Sequence, residues 1–168
     1  DNLKIKKVLD AGCGEGFVLS EFKKRNIGDY LEGIDFSEEA INTGKKLFPY
    51  LSLKKGDIYN MPYENSSFDL VICTEVMEHL EEPDKVMDEI VRVSKKYSLL
   101  SVPNEPTFMI SNFLRGKNIS RWGNVIDHIQ HWNSRAFEDF IRRKSDVLTV
   151  KIDRRRKFAA TTFLRAIG

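Results

Sequence analysis

Short apolar runs alternate along the chain with stretches whose apolar residues recur every three to four positions. The runs at 7–10, 30–35, 51–55, 68–74 and 98–102 read as strands, and 17–25, 38–47, 84–93 and 134–143 read as helices. Phe17, Val18 and Phe22 mark one side of the first helix, and Val86, Met87, Ile90 and Val93 repeat at helical spacing in the third. Ser37 is a predicted N-cap, with Glu38 and Glu39 in the first turn and Lys45 and Lys46 in the last, which suits the helix dipole. Residues 68–74 are apolar and partly β-branched, as in a strand buried on both faces. Repeated strand–helix units imply a parallel sheet with right-handed crossovers. The last two runs, 147–153 and 158–166, have no helix between them and predict a closing antiparallel hairpin.

The first strand stops at Asp10 and runs into Ala11-Gly12-Cys13-Gly14-Glu15-Gly16. Glycine permits positive φ and lets a ligand approach the backbone. A strand, a Gly-rich turn and a helix open a nucleotide-binding unit, but the dinucleotide form is G-x-G-x-x-G. Here the spacing is G-x-G-x-G, and Asp10 and Glu15 place carboxylates where a diphosphate would sit. That arrangement suits a ligand with a cationic end.

The D-x-G-C-G-x-G sequence resembles the first motif of class I S-adenosylmethionine-dependent methyltransferases. Later positions agree with it. Asp35 ends the second predicted strand, where a carboxylate can accept hydrogen bonds from ribose hydroxyls; it also reads as a helix-start acid. Asp57 and Ile58 follow the third strand, where the resemblance implies an acid for the adenine amino group and an apolar residue on the ring. Tyr59 can share that packing. Asn60-Met61-Pro62-Tyr63, Phe68-Asp69-Leu70-Val71 and Glu75-Val76-Met77-Glu78-His79-Leu80 also resemble family segments. Asp69 is structural on this reading.

The resemblance implies a Rossmann-like α/β fold with a seven-stranded sheet, order 3-2-1-4-5-7-6, strand 7 antiparallel, and helices on both faces. It implies S-adenosyl-L-methionine as cofactor, with S-adenosyl-L-homocysteine as product. The cofactor would lie on Asp10, Gly12, Gly14, Asp35, Phe36, Asp57, Ile58 and Glu75.

Glu75, Glu78 and His79 stand at i, i+3 and i+4, which puts them on one face if the segment is helical. His128 and His131 come later, in Asp127-His128-Ile129-Gln130-His131-Trp132. His79, His128 and His131 are the candidate bases. The same segments are similar to those of metal-dependent small-RNA 2′-O-methyltransferases, which implies Glu75, Glu78, His79 and His128 as a divalent-metal set. The expectation adopted is an enzyme with no metal.

Composition narrows the partners. The chain has 168 residues, 41% hydrophobic and 31% charged, with net charge +2, which argues against nucleic acid. No apolar run approaches the roughly 20 residues of a membrane span. Cys13 and Cys73 do not form a disulfide framework, which suggests a reducing, cytoplasmic setting. The expected organisation is one methyltransferase domain over 1–168, with a substrate-side insert at 104–132 and an N-terminal helical cap missing from the sequence. In that insert Asn104 and Glu105 are candidate substrate contacts. The expected reaction methylates a small-to-medium metabolite, in the manner of ubiquinone-type enzymes, with a hydroxyl as acceptor. The alternatives are a metal-dependent RNA 2′-O-methyltransferase-like enzyme and a non-catalytic cofactor-binding module. The sequence leaves oligomeric state open.

Overall fold

The computed structural model describes residues 4–103, 114–115, 128–144, 146–153 and 159–165, the last two stretches as backbone only. Most of the predicted insert, including Asn104 and Glu105, lies outside the described residues.

Five strands form a parallel sheet: β1 (Lys7–Ala11), β2 (Tyr30–Asp35), β3 (Ser52–Lys55), β4 (Phe68–Thr74) and β5 (Ser94–Pro103), in the order β3-β2-β1-β4-β5. The order reverses direction at β1, between β2 and β4. Ligands in such sheets bind at this switch point, beyond the carboxyl ends of the strands. The helices are α1 (Phe17–Lys24), α2 (Glu38–Leu47), α3 (Pro83–Val93) and α4 (Ser134–Arg142). Two further strands, β6 (Asp146–Asp153) and β7 (Ala159–Arg165), follow α4.

Side chains alternate across each strand and feed two cores. Leu9, Val71 and Cys73 join Val86, Met87 and Ile90 of α3 and Phe137, Phe140 and Ile141 of α4. Val8, Leu70 and Ile72 join Leu19 of α1 and Ile41 of α2. Helices therefore cover both faces, which is why β4 reads as a continuous apolar run. Ser37 caps α2, accepting from the Ala40 amide at 3.2 Å, and Asn133 caps α4, accepting from the Ala136 amide at 2.8 Å. Asp69 has the expected structural role: its Oδ2 accepts from the Lys6 and Lys7 amides, and its Oδ1 lies 3.0 Å from Lys96 Nζ.

β5 starts four residues earlier than its apolar run suggests. Its first residues, Ser94-Lys95-Lys96-Tyr97, are polar or amphipathic, yet Ser94 and Tyr97 pair with β4. Backbone pairing recruits them, although of the four only Ser94 is buried.

Candidate active site

The loop after β1 is hooked onto the end of β2. The amides of Gly12 and Cys13 both donate to the Ile34 carbonyl, at 2.9 and 3.0 Å. Gly12 has φ of 82°, and a Cβ there would lie 2.5 Å from Val76 Cγ2. Gly14 has φ of 51°, and a Cβ there would meet nothing within 4 Å, so its open side faces free space. Asp35 ties the turn together. Its Oδ2 accepts from the Gly14 amide and its Oδ1 from the Ser37 amide, both at 2.8 Å. A carboxylate has about four lone-pair sites, so two amide bonds leave capacity for a ligand.

These elements enclose a cleft of about 750 Å³ over the carboxyl ends of the strands. Gly12 and Gly14 form its floor, and Asp35 and Phe36 flank them. Gly56, Asp57, Ile58 and Tyr59 make one wall; Glu75, Val76, His79, Leu80 and Ile129 make the other. Seven of the eight expected cofactor residues thus meet at one cleft. Asp10 is the exception in that it lies beneath the loop, 1% exposed.

The cleft is acidic. Asp35, Asp57 and Glu75 line it, and no Lys or Arg is among the described lining residues. Glu15 is not among them either. The carboxylates that disfavour a diphosphate are therefore Asp35, Asp57 and Glu75 rather than Glu15, a correction to the loop-based reading. Asp10 lies below. Neither of its oxygens has a hydrogen-bond partner among the described residues, and burial, reinforced by Asp35, pushes its pKa up to about 7. The nearby Cys13 thiol is also pushed up, by burial first and then by Asp10 and Asp35.

The segment after β4 does not form the helix that would align Glu75, Glu78 and His79. A single 3-10 turn spans Met77–His79, and Glu75 precedes it with φ of 57°. Glu75 turns instead to β5, where its Oε1 accepts from the Ser101 hydroxyl at 2.9 Å. The Glu78 carbonyl accepts from the amides of Ile129 and Gln130, which docks the later segment on this turn. That contact brings the His128 ring to 5.0 Å from the His79 ring. Ligand atoms of Glu78, His79 and His128 all lie within 4.8 Å of one another, so three members of the four-residue metal set converge. Glu75 is not in that group. His131 is exposed and lies outside the described wall of the cleft.

Sequence reading did not single out Gly56 or Ile129 as lining residues, nor the Ser101 contact. Gly56 sits beside Asp57 and was within reach of the motif. Ile129 and Ser101 reach the site only through chain docking and strand pairing, which leave no local pattern.

Residues 9–102 match the model of the methyltransferase domain family, and the chain belongs to that family, which places it in the class of S-adenosylmethionine-dependent methyltransferases. It is 32% identical over 97 residues to a norajmaline N-methyltransferase of Rauvolfia serpentina, covering 54% of this chain and 33% of the relative. It is 31% identical over 97 residues to a ubiquinone biosynthesis O-methyltransferase of Neisseria meningitidis, covering 51% and 38%. Among solved structures, it is similar to magnesium protoporphyrin IX methyltransferase of Synechocystis with bound SAH (S-adenosylhomocysteine), with TM-score 0.72 and 16% identity, over 99% of this chain and 76% of that one. The chain spans between a third and two fifths of the length of the curated relatives it matches. No helix among the described residues is long and apolar enough to cross a membrane.

The cleft's own chemistry fits this cofactor. The open side of Gly14 makes a cradle that a Cβ would fill, and the buried Asp10 carboxyl, without a hydrogen-bond partner among the described residues, lies near Asp35.

Proposed function

We propose that the chain transfers a methyl group from S-adenosylmethionine to a hydroxyl of a small-to-medium metabolite. The observation that carries the reading is an acid-lined cleft, without Lys or Arg among its described walls, with His79 on one wall. When bound, the cofactor supplies a methyl on a positively charged sulfur that departs as a neutral thioether. The protein's task is then mainly alignment, which can contribute roughly 7–11 kcal/mol. Asp35 and Phe36 would hold the ribose side, Asp57 and Ile58 the adenine, and Gly12, Gly14, Glu75 and, from beneath, Asp10 the amino-acid end.

An adjoining hollow of about 550 Å³ shares Phe36, Tyr59, His79, Leu80 and Ile129 with the cleft and adds Glu81, Glu82 and Lys85. It supports an acceptor seat next to His79. The His79 imidazole would take the acceptor's hydroxyl proton, and the buried Glu78, with Oε1 3.9 Å from His79 Nε2, would favour the resulting imidazolium. His128 and His131 are the other candidate bases. The relatives' names include both O- and N-methyltransferases. The test is methyl transfer to panels of hydroxyl and amine metabolites. Turnover on amines alone would replace the hydroxyl acceptor, and cofactor binding without turnover on any would favour a non-catalytic module.

A second reading rests on the convergence of Glu78, His79 and His128. One carboxylate and two imidazoles form a donor set that fits a divalent transition metal. Those three residues would hold it, and it would supply Lewis-acid polarisation of the acceptor oxygen. Activity that survives chelation and ignores added Mg²⁺, Mn²⁺ or Co²⁺ would remove this reading. It is also the reading that an RNA acceptor would accompany, and salt-dependent RNA binding would reveal that.

The complete sheet, on our reading, has seven strands in the order 3-2-1-4-5-7-6, with β7 antiparallel. Backbone pairing of Leu99 with Phe163 and of Val150 with Thr162 supports it. Residues 1–168 would form one methyltransferase domain, with 104–132 as its substrate-side insert. The free buried thiols of Cys13 and Cys73 support a reducing, cytoplasmic setting.

A further inference from the structure

The segment between β3 and β4 carries one wall of the cleft, and residues outside the cleft hold it. At its start the Gly56 amide donates to the Asp35 carbonyl at 2.9 Å. At its far end two α3 residues grip the backbone. Glu89 Oε2 accepts from the Met61 amide at 2.7 Å. Arg92 donates to the Met61 carbonyl at 2.9 Å and to the Tyr63 carbonyl at 2.6 Å. Arg92 also donates to Asn65 Oδ1 at 3.1 Å, and its own carbonyl accepts from the Ser66 amide at 2.8 Å.

Glu89 and Arg92 are a matched pair. The guanidinium meets both carboxylate oxygens, at 2.6 and 2.8 Å, and only 30% of the Arg92 side chain and 17% of the Glu89 side chain are exposed. A fork-to-fork pair of this kind fixes orientation as well as distance. A third hold comes from the sheet, where the Tyr63 hydroxyl donates to the buried Glu32 at 2.6 Å. Between the anchors at Gly56 and Met61 lie residues 57–60, which include the wall residues Asp57, Ile58 and Tyr59; there the Tyr59 hydroxyl accepts from the Glu82 amide at 3.4 Å, and Ile58 and Tyr59 pack on the core. Within the span Asp57 Oδ1 accepts from the Tyr59 amide at 2.8 Å, so the Asp57 carboxylate direction follows the backbone. Neither Glu89 nor Arg92 lines the cleft.

We propose that Glu89 and Arg92 are positioning residues that set the adenine-recognising wall at Asp57 and Ile58 from outside the cleft. The inference rests on the reading of that wall as the adenine seat. Losing the grip would blur hydrogen-bond readout of the base before it affects the methyl end.

The test compares calorimetric affinities for S-adenosylhomocysteine and for S-inosylhomocysteine, in which an oxygen replaces the adenine amino group. The wild-type chain should prefer the adenine form. Arg92→Met keeps the aliphatic stem and removes the donors. It should weaken binding of S-adenosylhomocysteine about tenfold and bring the two affinities close together. Glu89→Gln still accepts from Met61 but loses the ion pair, and should fall between; it carries the test if Arg92→Met does not fold. A folded variant that keeps the wild-type preference, or loses both ligands by one factor, overturns the inference. A wild-type chain that binds both ligands alike overturns the adenine reading itself, and the inference with it.

Discussion

Glu75 and Ser101 hold each other twice: the Glu75 amide donates to the Ser101 carbonyl at 3.0 Å, and the Ser101 hydroxyl donates to Glu75 Oε1 at 2.9 Å. Glu75 meanwhile sits at φ of 57°, a region that costs a non-glycine residue energy unless neighbours impose it. β5 is thus the template for a strained turn that aims a carboxylate into the cleft. Ser101→Ala should weaken S-adenosylhomocysteine binding about tenfold, the size of one hydrogen bond to a charged group, roughly 1.5 kcal/mol. Calorimetric titration would measure it, and an unchanged affinity would remove Glu75 from the cofactor site.

Asp10 sets a pH dependence of folding. Its carboxyl is raised from 3.8 to about 7 by burial and then by Asp35. The folded state therefore holds the proton more tightly than the unfolded chain. The contribution to stability is full below about pH 4 and is lost as pH rises through 7. Asp10→Asn removes this titration. The stability of the variant relative to wild type should grow between pH 4 and pH 8, by at most roughly 4 kcal/mol. Urea unfolding at the two pH values would read it. The same variant should bind the positively charged cofactor more weakly, so stability and function would move in opposite directions.

Gly12 has no room for a side chain. A methyl would sit 2.5 Å from Val76 Cγ2, at a φ of 82° that L-residues avoid. Gly12→Ala should cost about 1–3 kcal/mol of stability. Adding Val76→Ala should relieve the steric part and leave the backbone part, so thermal melts of the double variant should recover only partially. Full recovery would show that φ at Gly12 matters little.

Asp35 is both a structural brace and a candidate ribose ligand. Asp35→Asn keeps the shape but offers one acceptor atom where the Gly14 and Ser37 amides need two. One amide is then left without its bond, at a cost of about 1–3 kcal/mol. Binding of S-adenosylhomocysteine should fall by more than the melting temperature alone would suggest. A comparison of affinity well below the melting range separates the two effects.

Patterns that depend on near neighbours in the chain were readable in advance. Asp10 to Gly16, Asp35 and Asp57 each end or follow a strand, so a parallel sheet was bound to bring them to one edge. The apolar runs with their helical interludes specified the five parallel strands and both layers of helices, because a central strand such as β4 had to bury two faces. The charge argument was sound in direction but rested in part on the wrong acid, since Glu15 does not line the cleft.

What sequence determined by itself is the α/β architecture, the edge at which the candidate site lies and the kind of cofactor, since all three follow from periodicity, glycine placement and carboxylates at strand ends. Tertiary structure alone decided the rest. It turned Glu75 away from Glu78 and His79, because the Ser101 backbone and hydroxyl outcompete a helix that Val76 to Leu80 are too few to sustain. It joined His128 to His79 through the carbonyl of Glu78, a contact between residues about fifty positions apart. It also assigned Glu89 and Arg92 to hold a wall they do not touch, because long-range hydrogen bonds to the backbone amide of Met61 and the carbonyls of Met61 and Tyr63 carry no signature in those residues.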